Sequence, residues 1–271
     1  MTKKPRKREV NVNKNSDGGL NTKSKVVNKK NRLRKVLYFT SVFLLFVVGL
    51  TLIFHQSITN KIVDSYAQEY VNNTSPDQMK ENENADVSFD AGNVGALTSA
   101  DVLAEMTSGR NHYTDLPVIG AIAIPDLGVN LPILKGLDNA SLAVGAGTMR
   151  ENQKMGEGNY SLASHSLFYG WGYENLLFSP LHRAQEGQLI YIRDSEKIYV
   201  YKTEKVFNVN PEDGWVTHDS EGDKLITLVT CTDTYAIQRL IVRGSLVSSY
   251  PIKEASQELK DYFGSDWNRW Y

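Results

Sequence analysis

The stretch KLITLVTC, Lys224 to Cys231, with TDTYAIQ (232–238) and RLIVRG (239–244) after it, decides how the chain reads. The two outer segments are rich in Ile, Val, Leu and Thr, which suit a pleated, half-buried surface. Antiparallel pairing sets the end of one strand beside the start of the next. The seven-residue connection then brings Arg239 close to Cys231 through a local hairpin. Working outward, AIAIP (121–125), NLPIL (130–134), NYSLAS (159–164), QLIYIR (188–193) and KIYVYKTEKVFNV (197–209) also favour strands. Seven or eight short strands with few helical patterns predict an all-β barrel or sandwich. SPLHRA (179–184) has the look of a single helical turn.

The ends of the chain differ from this body. Val36 to Phe54 carries no charge over 19 positions. At about 1.5 Å per residue this nearly crosses a hydrocarbon core about 30 Å thick. The run is longer than a signal-peptide core and no small-residue cleavage pattern follows it, so an uncleaved transmembrane anchor is expected. Ile58 to Val71 is able to continue it as a helical stalk. Residues 72–95, rich in Asn, Asp, Glu, Ser and Gly, read as a linker. A short helix is expected at Ser99 to Met106. The tail has a helical pattern at 253–263 and closes with Trp267, Trp270 and Tyr271; packing on the body is the favoured reading.

The overall net charge of −1 hides an asymmetry. Residues 1–35 hold 13 Lys and Arg against two acids, Glu9 and Asp17, while the rest holds 17 basic and 29 acidic residues. A basic arm beside an anchor needs no nucleic acid as partner. The crowding of Lys29, Lys30, Arg32, Arg34 and Lys35 on the amino side predicts a cytoplasmic amino terminus and an external body. The composition, 41% hydrophobic and 23% charged, excludes wholesale disorder. One cysteine excludes an internal disulfide and a multi-cysteine zinc site.

Cys231 is either a small buried hydrophobe or a functional thiol presented at a strand end. An external free thiol is exposed to oxidation, which weighs against the first reading. Arg239 is placed to stabilise a thiolate or an oxyanion. Its alternatives are a surface pairing with Asp233, or Arg243 in the same role, two positions apart twice over on one face. Among the five histidines, His165 ends an apolar strand pattern and is the best candidate base, with His182 next.

With these residues in view, the chain resembles the class A sortases, in particular sortase A of the streptococcal and lactic-acid-bacterial type. The resemblance rests on TLVTC (227–231), ASH (163–165) and RLIVRG (239–244) over about residues 100–247. LPILKGLDN (131–139), GAGTM (145–149) and LLFSPL (176–181) add to it. It implies an eight-stranded β-barrel, with short helices, behind one transmembrane helix on the outer face of a Gram-positive membrane. It implies a cysteine transpeptidase that cuts Leu-Pro-x-Thr-Gly sorting signals between Thr and Gly and passes the acyl group to the peptidoglycan precursor lipid II. It casts Cys231 as nucleophile, His165 as general acid and base, and Arg239 as the arginine at substrate and oxyanion. Thr230 would border the oxyanion site and Ala163 would line the signal groove. Ser166 stands where some streptococcal relatives carry a second histidine. No calcium-ligand loop matches, so no metal or other cofactor is expected.

The expected organisation is a basic cytoplasmic arm (1–35), an anchor (36–55), a stalk and polar linker (56–98), an extracytoplasmic catalytic barrel (99–249) and a helical aromatic tail (250–271). Other readings are a non-catalytic anchored β-domain that binds cell-wall material, a thiol hydrolase, and a pilin-polymerising sortase. The last often has a lid before the barrel, and 72–95 shows no convincing one.

Overall fold

The computed structural model describes residues 31–53, 70, 74–95, 116–168, 173–220 and 222–264. The arm at 1–30, most of the stalk, the helix expected at 99–106 and the last seven residues lie outside them. The chain divides into two units, 1–53 and 54–271.

In the first unit, Asn31–Ile53 is one helix of 23 residues with a mean hydropathy of 2.5 over its most apolar window. Its side chains are exposed, Phe39 at 67% and Leu45 at 70%, so it has no protein core of its own to enter. Its hydroxyls are satisfied within the helix. Thr40, Ser41 and Thr51 donate to the carbonyls of Val36, Leu37 and Val47, four residues back. A polar group in a hydrocarbon setting has to be paired in this way.

The second unit is built on eight strands: β1 (Val118–Ile124), β2 (Val129–Leu134), β3 (Ala146–Thr148), β4 (Gly158–Ala163), β5 (Leu189–Arg193), β6 (Lys197–Val209), β7 (Lys224–Cys231) and β8 (Arg239–Pro251). They close in the order β1-β2-β3-β4-β7-β8-β6-β5. β2 with β3 and β4 with β7 are parallel pairs; the other neighbours are antiparallel. The expected barrel is therefore present, with a short turn of 3-10 helix at Ser179–Arg183. Closure leaves no edge strand for aggregation.

Alternation along the strands produces an inside and an outside. Ile122, Ile133, Leu162, Tyr201, Ile226 and Leu228 fill the interior, each fully buried. Each such side chain contributes roughly 1.5–3 kcal/mol. The residues between them, such as Ala121, Ala123 and Val229, face outward into separate clusters. The β1–β5 seam is tight at Gly120, where a Cβ would lie 2.2 Å from the Arg193 carbonyl oxygen.

The polar segment 74–95 departs from the linker expectation. Ser75 caps a helix at Pro76–Asn82, accepting from the Gln78 amide, and Met79 is only 2% exposed. Asn82 Nδ2 donates to the Val118 carbonyl at 2.8 Å, Lys135 Nζ to that of Ala85 at 2.8 Å, and the Leu137 amide to that of Ser88 at 2.7 Å. Composition counted apolar residues; one buried methionine and a set of backbone contacts were enough to lay the segment on β1 and β2. The tail's helix, Gln257–Gly264, packs on the barrel as favoured, with Phe263 and Ala255 buried among Ala121, Ala123, Tyr191, Ile198 and Val200.

Candidate active site

Three neighbouring strands, β4, β7 and β8, build the site. Their register pairs Ala163 with Val229 in parallel, Val229 with Ile241, and Cys231 with Arg239 directly across the hairpin. Ala163, Val229 and Ile241 belong to one outward cluster with Met149, Phe207, Val209 and Val216. Side chains two apart share a face. Cys231 and Arg239 are thus paired at the end of β7 and the start of β8, each two residues from a member of that apolar floor, and His165 follows two residues after the end of β4. The strand ends are locked: Thr230 Oγ1 donates to the Ser164 carbonyl at 2.8 Å, the Ser164 amide to the Val229 carbonyl at 3.2 Å, and the Phe178 amide to the His165 carbonyl at 3.0 Å.

His165 is buried, and its Nε2 has no hydrogen-bond partner. Burial pushes its pKa down to about 4. Cys231 is half-buried; burial pushes the thiol up, Arg239 pulls it down and Asp233 pushes it up again. Both shifts favour a neutral thiol and a neutral imidazole at pH 7. Converting that pair to thiolate and imidazolium moves one proton and changes no net charge, so it needs no proton from solvent.

Arg239 does not pair with Asp233. The Asp233 carboxylate accepts instead from Thr232 Oγ1 at 2.9 Å and the Tyr235 amide at 2.8 Å. Arg239 Nη1 donates to the Ala236 carbonyl at 2.8 Å, within its own loop. Among the described residues, Nη2 and Nε have no hydrogen-bond partner. Arg243, the rival, is committed elsewhere. It donates to Thr227 Oγ1 at 3.2 Å and to the Val216 carbonyl, and lies against the rings of Phe207 and Trp215. Thr230 precedes Cys231 directly on β7. It is 2% exposed, on the opposite face of β7 from Cys231, and its hydroxyl is spent on Ser164.

The wall beside the apolar floor was not read from the sequence. It is the connection 210–223, whose short 3-10 turn Gly214–Thr217 lays Val216 against that floor. Asp219 anchors it, accepting from Arg150 Nη1 at 2.8 Å and Nη2 at 2.6 Å and from the Asn159 amide at 2.6 Å. The Arg150 guanidinium holds that carboxyl below the usual range. The only sequence signal was the pair Trp215 and Val216 in an otherwise polar stretch. Among the described residues no three His, Cys, Asp or Glu converge on a position for a metal ion.

A thiol, an imidazole and a guanidinium at or just beyond the ends of neighbouring strands of a closed barrel are groups of the kind that acyl transfer through sulfur requires. Residues 122–247 match the sortase domain model. The chain is 39% identical over 230 residues to sortase A of Streptococcus agalactiae, covering 84% of this chain and 92% of that protein. It is 32% identical over 229 residues to sortase A of Listeria monocytogenes, covering 83% and 98%. The solved structure of the Listeria enzyme aligns with a TM-score of 0.50 at 35% identity, over 55% of this chain and 98% of that one. The chain belongs to the sortase family, and within it is a class A sortase. It is a cysteine transpeptidase of surface-protein anchoring, acting on sorting-signal proteins and peptidoglycan-related acceptors.

Proposed function

We propose that the protein cleaves Leu-Pro-x-Thr-Gly signals between Thr and Gly at Cys231 and joins the new carboxyl end to lipid II. The observation that carries this reading is the register of β4, β7 and β8, which sets Cys231 directly opposite Arg239 and pairs Ala163, two residues before His165, with Val229, two residues before Cys231. The Cys231 proton passes to His165, and the thiolate attacks the Thr carbonyl carbon. Arg239 and backbone amides stabilise the oxyanion. The tetrahedral species collapses, the C–N bond breaks, and His165 protonates the departing glycine amine. An incoming amine attacks the thioester, His165 takes its proton, and the thiol is restored. Ala163 lines the floor under the signal. Thr230 contributes its place in the chain rather than its hydroxyl.

The Asn31–Ile53 helix anchors the enzyme, with residues 1–35 in the cytoplasm and the barrel on the wall side. The basic flank and the uncharged run support this topology. Anchoring confines the enzyme to the layer in which a lipid-linked acceptor diffuses, which raises its effective concentration. The catalytic unit, in this reading, starts at the Pro76–Asn82 helix rather than at residue 99, and the tail belongs to the barrel's coat.

The test uses the full-length protein in detergent with a Leu-Pro-x-Thr-Gly peptide, with and without lipid II or a short glycine or alanine peptide, read by mass spectrometry. An amine-dependent ligated product is expected. Cleavage with no ligation to any of these amines would make the enzyme a hydrolase on this signal. No cleavage at all would remove the signal assignment.

A further inference from the structure

The acyl-transfer steps leave one arginine beside the site unused. Arg243 stands on β8 directly across from Thr227 on β7, and Thr227 pairs with Ser161 of β4. Alternation puts Asn159, Thr227 and Arg243 on the same outer side as Ala163, Val229 and Ile241, so that side has a polar half and an apolar half. The polar half is one connected set. Thr227 Oγ1 donates to Asn159 Oδ1 at 2.6 Å and accepts from Arg243 Nε at 3.2 Å. Asn159 Nδ2 donates to the carbonyls of Val216 at 2.8 Å and His218 at 3.1 Å. Arg243 Nη2 donates to that same Val216 carbonyl.

Asn159 and Thr227 are fully buried, so their polar atoms have to be paired. Apolar side chains at these positions would extend the floor and hold the strands without that requirement. What hydrogen bonds add is direction. Here they converge on one residue of the connection 210–223. Val216 has its side chain on the apolar floor and its carbonyl held by two donors, one from β4 and one from β8. The Arg243 guanidinium also lies 5.7 Å from the ring centroid of Phe207 in the floor and 5.9 Å from that of Trp215 in the connection. One side chain therefore spans the seam between floor and wall.

Resting on the reading of that floor as the seat of the sorting signal, we propose that Asn159 and Arg243 are positioning residues for the signal. Their grip on the Val216 carbonyl holds the wall at one distance from the floor and so fixes the width of the groove that receives the signal's apolar side chains. Arg243 is half-buried, so its truncation empties no core. Loss of the grip leaves the thiol chemistry in place and lets the wall move, which weakens binding of the signal in ground state and transition state alike.

The experiment measures steady-state transpeptidation of a Leu-Pro-x-Thr-Gly peptide by the full-length protein and its Arg243→Ala, Arg243→Lys and Thr227→Val variants. Hydrogen–deuterium exchange of the turn Gly214–Thr217 and the melting temperature are read on the same samples. Arg243→Ala is expected to raise the signal-peptide KM about tenfold with kcat within about threefold. It should also speed exchange in the turn about tenfold, while β7 and β8 exchange as before. Arg243→Lys, which keeps a donor for the Val216 carbonyl, recovers part of both losses. Thr227→Val removes the hydroxyl that links Asn159 to Arg243 and raises KM about threefold. An unchanged KM in Arg243→Ala, a loss carried by kcat alone, or unchanged exchange in the turn would overturn the proposal. If Arg243→Ala melts below the assay temperature, Thr227→Val decides alone, and a wild-type KM there overturns it. Absence of cleavage by the unaltered protein is a separate result, against the signal assignment; the exchange measurement then decides the grip on the wall, and unchanged exchange overturns it.

Discussion

Two outer faces of the same barrel meet different fates. On β1, β5 and β6, the outward Ala121, Ala123, Ile198 and Val200 are sealed by the carboxy-terminal helix, with Phe263 2% exposed beneath it. On β4, β7 and β8, the outward Ala163, Val229 and Ile241 cluster with Met149, Phe207 and Val209, and the connection's Val216 rests on them. Both faces are apolar, and strand alternation produces both. Only the second ends in a thiol, an imidazole and a guanidinium. The contrast is one of covering element: a helix lies over one face and a connection with a single 3-10 turn lies over the other.

The contrast breaks most visibly at the catalytic end. His165→Ala and Arg239→Ala should each lower kcat/KM by about 10²–10⁴, while far-ultraviolet circular dichroism stays that of the native barrel. On the sealed face, Phe263→Ala should cost about 3–5 kcal/mol in denaturant unfolding, with kcat/KM of the folded enzyme unchanged. A large loss of activity there would mean the two faces are coupled.

A smaller effect joins chemistry to stability through His165. Its folded pKa of about 4 lies below its ordinary value of 6.5, so between these values the unfolded chain binds more protons. The stability due to this residue is complete above about pH 6.5 and is lost as the pH falls towards 4, on the order of 1–3 kcal/mol. His165→Gln should flatten that limb of the unfolding profile; an unchanged slope would deny the shift. Least of all is the effect of unpinning the loop. Asp219 is half-exposed, so Arg150→Ala should cost about 1 kcal/mol or less in stability. It should raise the signal-peptide KM a few-fold, measured with kcat held separate.

The sequence made the β7–β8 side of the site legible because the contact is local. Cys231 and Arg239 are eight positions apart, and pairing two strands across a short connection needs no long-range information. The reading of β6 and β7 matched their bounds for the same reason, with clear alternation and turn residues at each end. β8 runs on to Pro251, past RLIVRG, because the 13-residue β6 supplies partners that the polar SLVSSYP does not advertise. His165 is a different case. It follows a strand that pairs in parallel with β7 at a separation of 66 residues, which alternation does not encode, and the family resemblance supplied its role. The segment 74–95 and the Val216 wall were hidden for a common reason. Each attaches through one apolar side chain and a few specific polar contacts, and composition weighs neither.

The most direct test of the open face is the acyl-enzyme itself. The full-length protein would be mixed with a Leu-Pro-x-Thr-Gly peptide without amine, quenched in acid, and read by intact mass and peptide mapping. A mass increase equal to the peptide's acyl part, mapped to Cys231, lost on hydroxylamine treatment and absent in Cys231→Ala, is the predicted result. Turnover of the peptide by Cys231→Ala, or an adduct mapped to any other residue, would contradict the account.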